Sequence, residues 1–140
     1  MQDKVIQTIV MRAKFPDKDG NLKKIRVGKY IAQASHASIA FLTNRMRKNI
    51  SHPEALWWVN LSPAEKEWIY GSFFKICVGV DSEKELLDIR DKASSMGIEC
   101  NLITDQGHTE FNGVPTNTCL SLGPDYSSKL DPITGHLKLL

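Results

Sequence analysis

Hydrophobic positions fall into segments of different period. Residues 5–11 (VIQTIVM) are densely apolar and β-branched, which predicts a buried strand. The following AKFPDKDGNLKK breaks that pattern at Pro16 and at Asp19-Gly20-Asn21, and predicts an exposed, positively charged loop. From residue 29 to about residue 45 the chain is alanine-rich and free of proline, which predicts a helix. Ile31, Ala32, Ala34, Ala37, Ile39, Ala40, Phe41 and Leu42 spread apolar surface around most of its circumference, so the helix is expected to be mostly buried.

Six of the eleven aromatic residues (Trp57, Trp58, Trp68, Tyr70, Phe73 and Phe74) lie between positions 49 and 74. Ser51 with Pro53 and Glu54, and Ser62 with Pro63 and Glu65, each predict the start of a short helix, because serine caps the orphan amides and proline suits the first turn. Aromatics in such a setting serve mainly to pack against a sheet. Residues 73–80 (FFKICVGV) predict a second, central strand. Ser82 and Glu85 predict a capping box, and Leu86, Ile89, Ala93 and Met96 recur at helical spacing until Gly97. Residues 98–104 then supply a third strand and residues 117–122 a fourth, which can return beside the third in antiparallel sense. Strand, helix and strand from residue 73 to 104 read as a right-handed βαβ unit, and the alternation of elements predicts an α/β sandwich.

The 140 residues suit a single domain, expected to span 1–140 with an extended aromatic-rich connection at about 46–72. Hydrophobic residues at 41% and charged residues at 24% match a globular chain rather than a disordered one. Cys77, Cys100 and Cys119 are odd in number and far apart, which suggests reduced thiols rather than a disulfide framework or a zinc site. Residues 5–11 are too short and too polar for a signal peptide or membrane span, so a cytoplasmic protein without membrane association is expected. The net charge of +2 hides an asymmetry. Residues 1–50 carry eleven Lys and Arg against three acids, an excess of eight; residues 51–140 carry seven against thirteen, a deficit of six. Such a segregation can attract a polyanion, or can be remixed into an ordinary solvated surface by folding.

Two clusters carry candidate chemistry. Lys29, Gln33 and His36 stand at i, i+4 and i+7 on one face of the predicted helix. They form either a solvent-facing stripe or the wall of a cleft in which a cation, an amide and an imidazole bind an anion, orient a carbonyl and handle a proton. The second cluster, residues 104–110 (TDQGHTE), leaves the third strand where α/β folds usually place ligands. Asp105 can serve as a base or hold a lysine or water, and Thr109 can orient a water, although Asp-Gln-Gly is also an ordinary tight turn. His36, His52, His108 and His136 lack metal-ligand spacing, so neither a metal nor another cofactor is expected.

Residues 28–37 (GKYIAQASHA), 102–110 (LITDQGHTE), 118–124 (TCLSLGP) and 134–140 (TGHLKLL) together closely resemble the peptidyl-tRNA hydrolase 2 family, in the same order and over roughly 85 residues. The resemblance implies metal-independent hydrolysis of the ester joining a peptide to the 3′ ribose of tRNA. It also implies a three-layer α/β/α sandwich with a mixed four-stranded sheet whose last strand is antiparallel. Carried over by position, Lys29, Gln33, His36, Asp105, Thr109 and Thr118 form the catalytic group. Against the family's usual turn, this chain has His108 in place of arginine and Glu110 in place of glutamine, and the connection holding Trp57, Trp58 and Trp68 is about ten residues longer.

In the leading hypothesis Asp105, with Thr109 and Thr118, activates a water. Lys29 stabilises the oxyanion or binds the terminal phosphate, Gln33 orients the carbonyl or the adenosine end, and His36 acts as a base or as a hydrogen-bonded lock. No G-x-S-x-G elbow is present, so direct water attack is the simpler scheme. Lys14, Lys18, Lys23, Lys24, Arg26, Arg45, Arg47, Lys48 and His108 would contact the acceptor stem of peptidyl-tRNA, the expected partner. The alternatives are a non-catalytic tRNA-binding or interaction module on the same fold and a hydrolase of another acyl-nucleotide ester. A homodimer is left open.

Overall fold

The computed structural model describes residues 3–48, 51, 58–108 and 111–140. Its elements are β1 (Val5–Arg12), β2 (Phe15–Pro16), β3 (Leu22–Lys23), α1 (Val27–Arg47), α2 (Pro63–Tyr70), β4 (Lys75–Val80), α3 (Glu83–Ser95), β5 (Cys100–Asp105), β6 (Thr116–Tyr126) and α4 (Ser127–Thr134). Four strands form one mixed sheet in the order β4-β1-β6-β5. β1 is parallel to β4, and β6 is antiparallel to both β1 and β5. The last strand is thus antiparallel, as expected.

All eight residues of β1 are buried, as a strand with neighbours on both edges and helices on both faces requires. Ile6 and Val10 pack with Leu86 and Ile89 of α3 and with Leu130 and Ile133 of α4. Ile9 and Met11 pack with Ala37 and Ala40 of α1, and Val5 with Phe41, Ala64 and Trp68. Alternate strand side chains point to opposite faces, so α3 and α4 cover one face and α1 and α2 the other.

Four expectations are corrected here. The strand at residues 75–80 is an edge strand, not a central one, because β1 takes the position between it and β6. The strands before and after α3 are therefore not neighbours: β1 and β6 lie between them. α1 is also less buried than its composition implies. It meets the sheet through the small Ala37 and Ala40, with Gln33 and Phe41, and leaves Ile31 62% and Ile39 53% exposed on its outer face. The basic stretch after β1 is not wholly a loop, since β2 and β3 pair across a turn in which Oδ1 of Asp17 accepts from the N–H groups of Asp19 and Asn21.

Local capping follows the sequence closely. Ser62 and Glu65 form a complete capping box at α2. At α3 the Ser82 hydroxyl accepts from the N–H of Glu85, while the Glu85 carboxylate reaches back to the N–H of Asp81. Of the aromatic-rich connection, Trp68 is buried, donates from Nε1 to the carbonyl of Phe74 and lies edge-on to Phe41, whereas Trp58, Tyr70, Phe73 and Phe74 are exposed. Trp57 and the expected helix start at Pro53 and Glu54 lie outside the described residues. The tail runs along the free edge of β4, with Gly79 N–H bonded to the Lys138 carbonyl and Leu140 N–H to that of Cys77.

Candidate active site

Arg12, Val80 and Asp105 end strands that run in one direction, so they share an end of the sheet, and β6 begins there at Thr116. The first turn of α1 is brought to the same end. Its Lys29 forms an ion pair with Oδ2 of Asp105, whose side chain is 10% exposed against 16% for the lysine. Oδ1 of Asp105 accepts from the N–H of Gly107. Partial burial works to raise the Asp105 carboxyl, but the Lys29 hydrogen bond, the Gly107 N–H and the charges of Lys29 and His108 outweigh it and hold the carboxyl below its ordinary value.

The turn that presents Asp105 needs a glycine. Gly107 has φ of +83°, and a Cβ there would meet the backbone of Val114, whose nitrogen would be 2.7 Å away. The Gly113 N–H closes this loop on the Gly107 carbonyl at 2.8 Å.

One turn beyond Lys29, Gln33 is buried against β6. The Thr118 hydroxyl donates to its Oε1 at 2.6 Å, and the Cys119 thiol donates to its main-chain carbonyl. Cys119 itself is inert, its thiol pushed up to about 12 by burial. Among the described residues Nε2 of Gln33 has no partner, which leaves two donors for a bound carbonyl or base.

The structure thus assembles Lys29, Gln33, Asp105 and Thr118 from α1, β5 and β6. His36 is placed differently: it is exposed, and among the described residues no hydrogen bond ties it to Asp105. Thr109 lies outside the described residues. Lys14, Lys18, Lys24, Arg26, Arg47, Lys48 and His108 are exposed. Lys23 pairs with Asp17 at 3.1 Å, and Arg45 grips Glu65 through two bonds of 2.7 and 2.8 Å and reaches Glu99.

Two residues near the site escaped the sequence reading. Phe111 places its ring 5.9 Å from Nζ of Lys29. Arg12 is a buried cation at the end of an apolar strand, and that interruption was the available signal.

The model of the family described as Peptidyl-tRNA hydrolase PTH2 matches residues 5–140. The chain belongs to the peptidyl-tRNA hydrolase 2 family. Similar proteins include the peptidyl-tRNA hydrolase of Methanocaldococcus jannaschii, 42% identical over 81% of this chain and 87% of that protein. Those of Methanothermobacter thermautotrophicus and Thermoplasma acidophilum are 37% and 35% identical, over 84% and 81% of this chain and 90% and 86% of theirs. Among the described residues no helix is long and apolar enough to cross a membrane, and no group of His, Cys, Asp and Glu is arranged to hold a metal.

Proposed function

We propose that this member of the family hydrolyses the ester between a peptide and the 3′ ribose of tRNA, with Asp105 and Lys29 at the reacting centre. The observation that carries this reading is their ion pair, formed at the strand ends beside a glycine turn and against a buried, oriented Gln33.

Water adds to the ester carbonyl, and the bond from carbonyl carbon to ribose oxygen breaks. A peptide carboxylate leaves, and the ribose oxygen takes a proton to become the hydroxyl of free tRNA. The Asp105 carboxylate orients the water, receives its proton as the new C–O bond forms, and returns that proton to the ribose oxygen as the ester bond breaks. A carboxylate held below its ordinary pKa is a weak base, so orientation is the larger part of its contribution. The Lys29 ammonium stabilises the oxygen on which negative charge develops. The Gln33 N–H groups hold the carbonyl in line, and Thr118, touching Gln33 rather than substrate, is a positioning residue. Thr109, assigned by resemblance, completes the water site.

Exposed Lys14, Lys18, Lys24, Arg26, Arg47 and Lys48 supply a basic surface for the acceptor stem, with His108 beside the site. Arg45 contributes less, because its guanidinium already serves Glu65 and Glu99. A cytoplasmic setting, where translation occurs, belongs to the same proposal. So does a homodimer, supported by the exposed Val27, Ile31 and Ile39 of α1. The non-catalytic module is disfavoured, since Lys29, Gln33, Asp105 and Thr118 are all present and engaged.

The test is release of tRNA from a labelled N-acetyl-aminoacyl-tRNA by wild type, Asp105→Asn and Lys29→Ala, with chelator throughout. Turnover by the wild type that survives chelation and drops by about 100-fold or more in both variants is expected. Tight tRNA binding without hydrolysis by the wild type overturns the assignment.

A further inference from the structure

Beside the ion pair lies a cavity of about 620 Å³, a size typical of small-ligand sites, between the β2–β3 hairpin, the start of α3 and residues 111–116. Phe111 joins the two places: its ring faces Nζ of Lys29 on one side and lies 5.0 Å from the ring of Phe15, another lining residue. The cavity therefore begins one aromatic ring away from the reacting centre.

Its wall holds an incompletely used cation. Arg12 is 95% buried, with its guanidinium 4.5 Å over the Phe15 ring. Nη1 serves both Glu83, at 3.3 Å, and the Asn117 carbonyl, at 3.1 Å. Nε is buried with no partner, and among the described residues Nη2 has no hydrogen-bond partner. With Nη1 spent on two acceptors and Nε buried, the N–H groups of Nη2 are the donors that Arg12 can offer a ligand in the cavity.

The remaining charges narrow the chemistry of that ligand. Lys18 and Lys23 at the cavity are matched by Asp17 and Asp19, and Arg12 by Glu83, so the lining carries no net charge. A phosphate or carboxylate would meet those acids at close range. A neutral planar group with ring-nitrogen acceptors would meet two phenylalanines and idle N–H donors instead.

We infer that this cavity takes the terminal nucleobase of the tRNA, with Phe15 and Phe111 as its apolar walls and Arg12 as its donor. The inference rests on the peptidyl-tRNA hydrolase reading above and adds the subsite for the leaving group. Of the parts of the substrate next to the ester, the terminal adenosine is identical in every tRNA while the peptide varies. A shaped pocket with a fixed donor suits the constant partner. Anchoring the base also fixes the ribose oxygen that leaves, holding the ester against Lys29 and Asp105.

The test compares two N-acetylphenylalanyl-tRNAs, one ending in adenosine and one with an abasic terminal ribose. Wild type is set beside Val114→Trp, which fills the cavity from an exposed lining position and so spares the fold. The abasic substrate is expected to lose about tenfold or more in kcat/KM with wild type, the scale of one base–aromatic contact. Val114→Trp loses a similar factor on the adenosine substrate and little on the abasic one. Equal rates on both substrates, or equal losses on both in the variant, overturn the inference while leaving the hydrolase reading intact. A variant that instead abolishes a rate difference between one-residue and three-residue peptides assigns the cavity to the peptide and also overturns it. Absence of hydrolysis of either substrate by wild type removes both readings.

Discussion

The hydroxyl of Thr118, with no exposed surface, donates to Oε1 of Gln33 at 2.6 Å and ties strand β6 to helix α1 one turn from Lys29. The bond links a core position to the site, so its loss is felt in both. Thr118→Val keeps the shape but leaves a buried amide oxygen without a donor, a cost of about 1–3 kcal/mol. Urea unfolding is expected to show that loss, and kcat/KM to fall by about 10- to 100-fold as Gln33 loosens. Unchanged stability together with unchanged rate would show that the bond orders nothing.

The Asp105 carboxyl sits below its ordinary value, after burial is outweighed by Lys29, Gly107 and His108. The base form therefore persists as pH falls, and the acid limb of kcat/KM is expected below the normal aspartate range. Lys29→Ala removes the main opposing influence and lets burial raise the carboxyl, moving the limb upward. A pH profile of residual activity in that variant checks the direction; a limb that does not move refutes the coupling.

Glu65 is almost wholly buried, and its carboxylate takes two bonds from Arg45 and one from the Ser62 N–H. Burial works to raise its pKa, but these bonds prevail and hold it low. A carboxyl lowered on folding stabilises the protein above its unfolded pKa, and that stability is lost as pH falls through the folded value. Glu65→Gln is expected to cost about 1.5–3 kcal/mol at neutral pH. Melting curves from about pH 5 to 2, which span the ordinary glutamate range and the values below it, should decline less steeply in the variant than in wild type. Parallel curves would assign the acid sensitivity elsewhere.

Gly107→Ala forces a side chain into a left-handed turn and against the Val114 backbone. The strain of about 1–3 kcal/mol falls on the loop that carries Asp105, so activity is expected to drop with only a modest fall in melting temperature. A variant with full activity would show that the turn yields without moving the carboxylate.

How much of this was legible in the sequence depended on the range of the forces involved. Caps are set within three or four residues, so Ser62 with Glu65 and Ser82 with Glu85 were readable. The strands showed in their β-branched runs, but their order did not. Nothing near Lys75 states that Gln7 will pair with it, so the edge position of β4 emerged only in the fold. Burial of α1 was misjudged because small alanines, not the large isoleucines, make the close approach to the sheet. α4, missed altogether, is one short helix with Pro132 inside it. At the site Lys29, Gln33 and Asp105 were legible from helical spacing and strand-exit position, and Thr118 only from the family's motif. Arg12 and Phe111 were not, because the cavity they line is made by segments about 100 residues apart.

The tail that runs along β4 has a consequence for how the molecule tolerates crowding. Gly79 and Cys77 turn hydrogen-bonding groups outward, and residues 138–140 satisfy them, with Leu139 bridged to Val78 and Leu140 reaching to within 3.1 Å of where a Cβ on Gly79 would lie. A sheet edge so covered offers no template to a second chain. If that strip were lifted or cut away, the exposed edge would recruit neighbouring copies strand to strand. Residues 138–140, far from any chemistry, thereby close the β4 edge of the sheet to strand addition and leave β5 as its other edge.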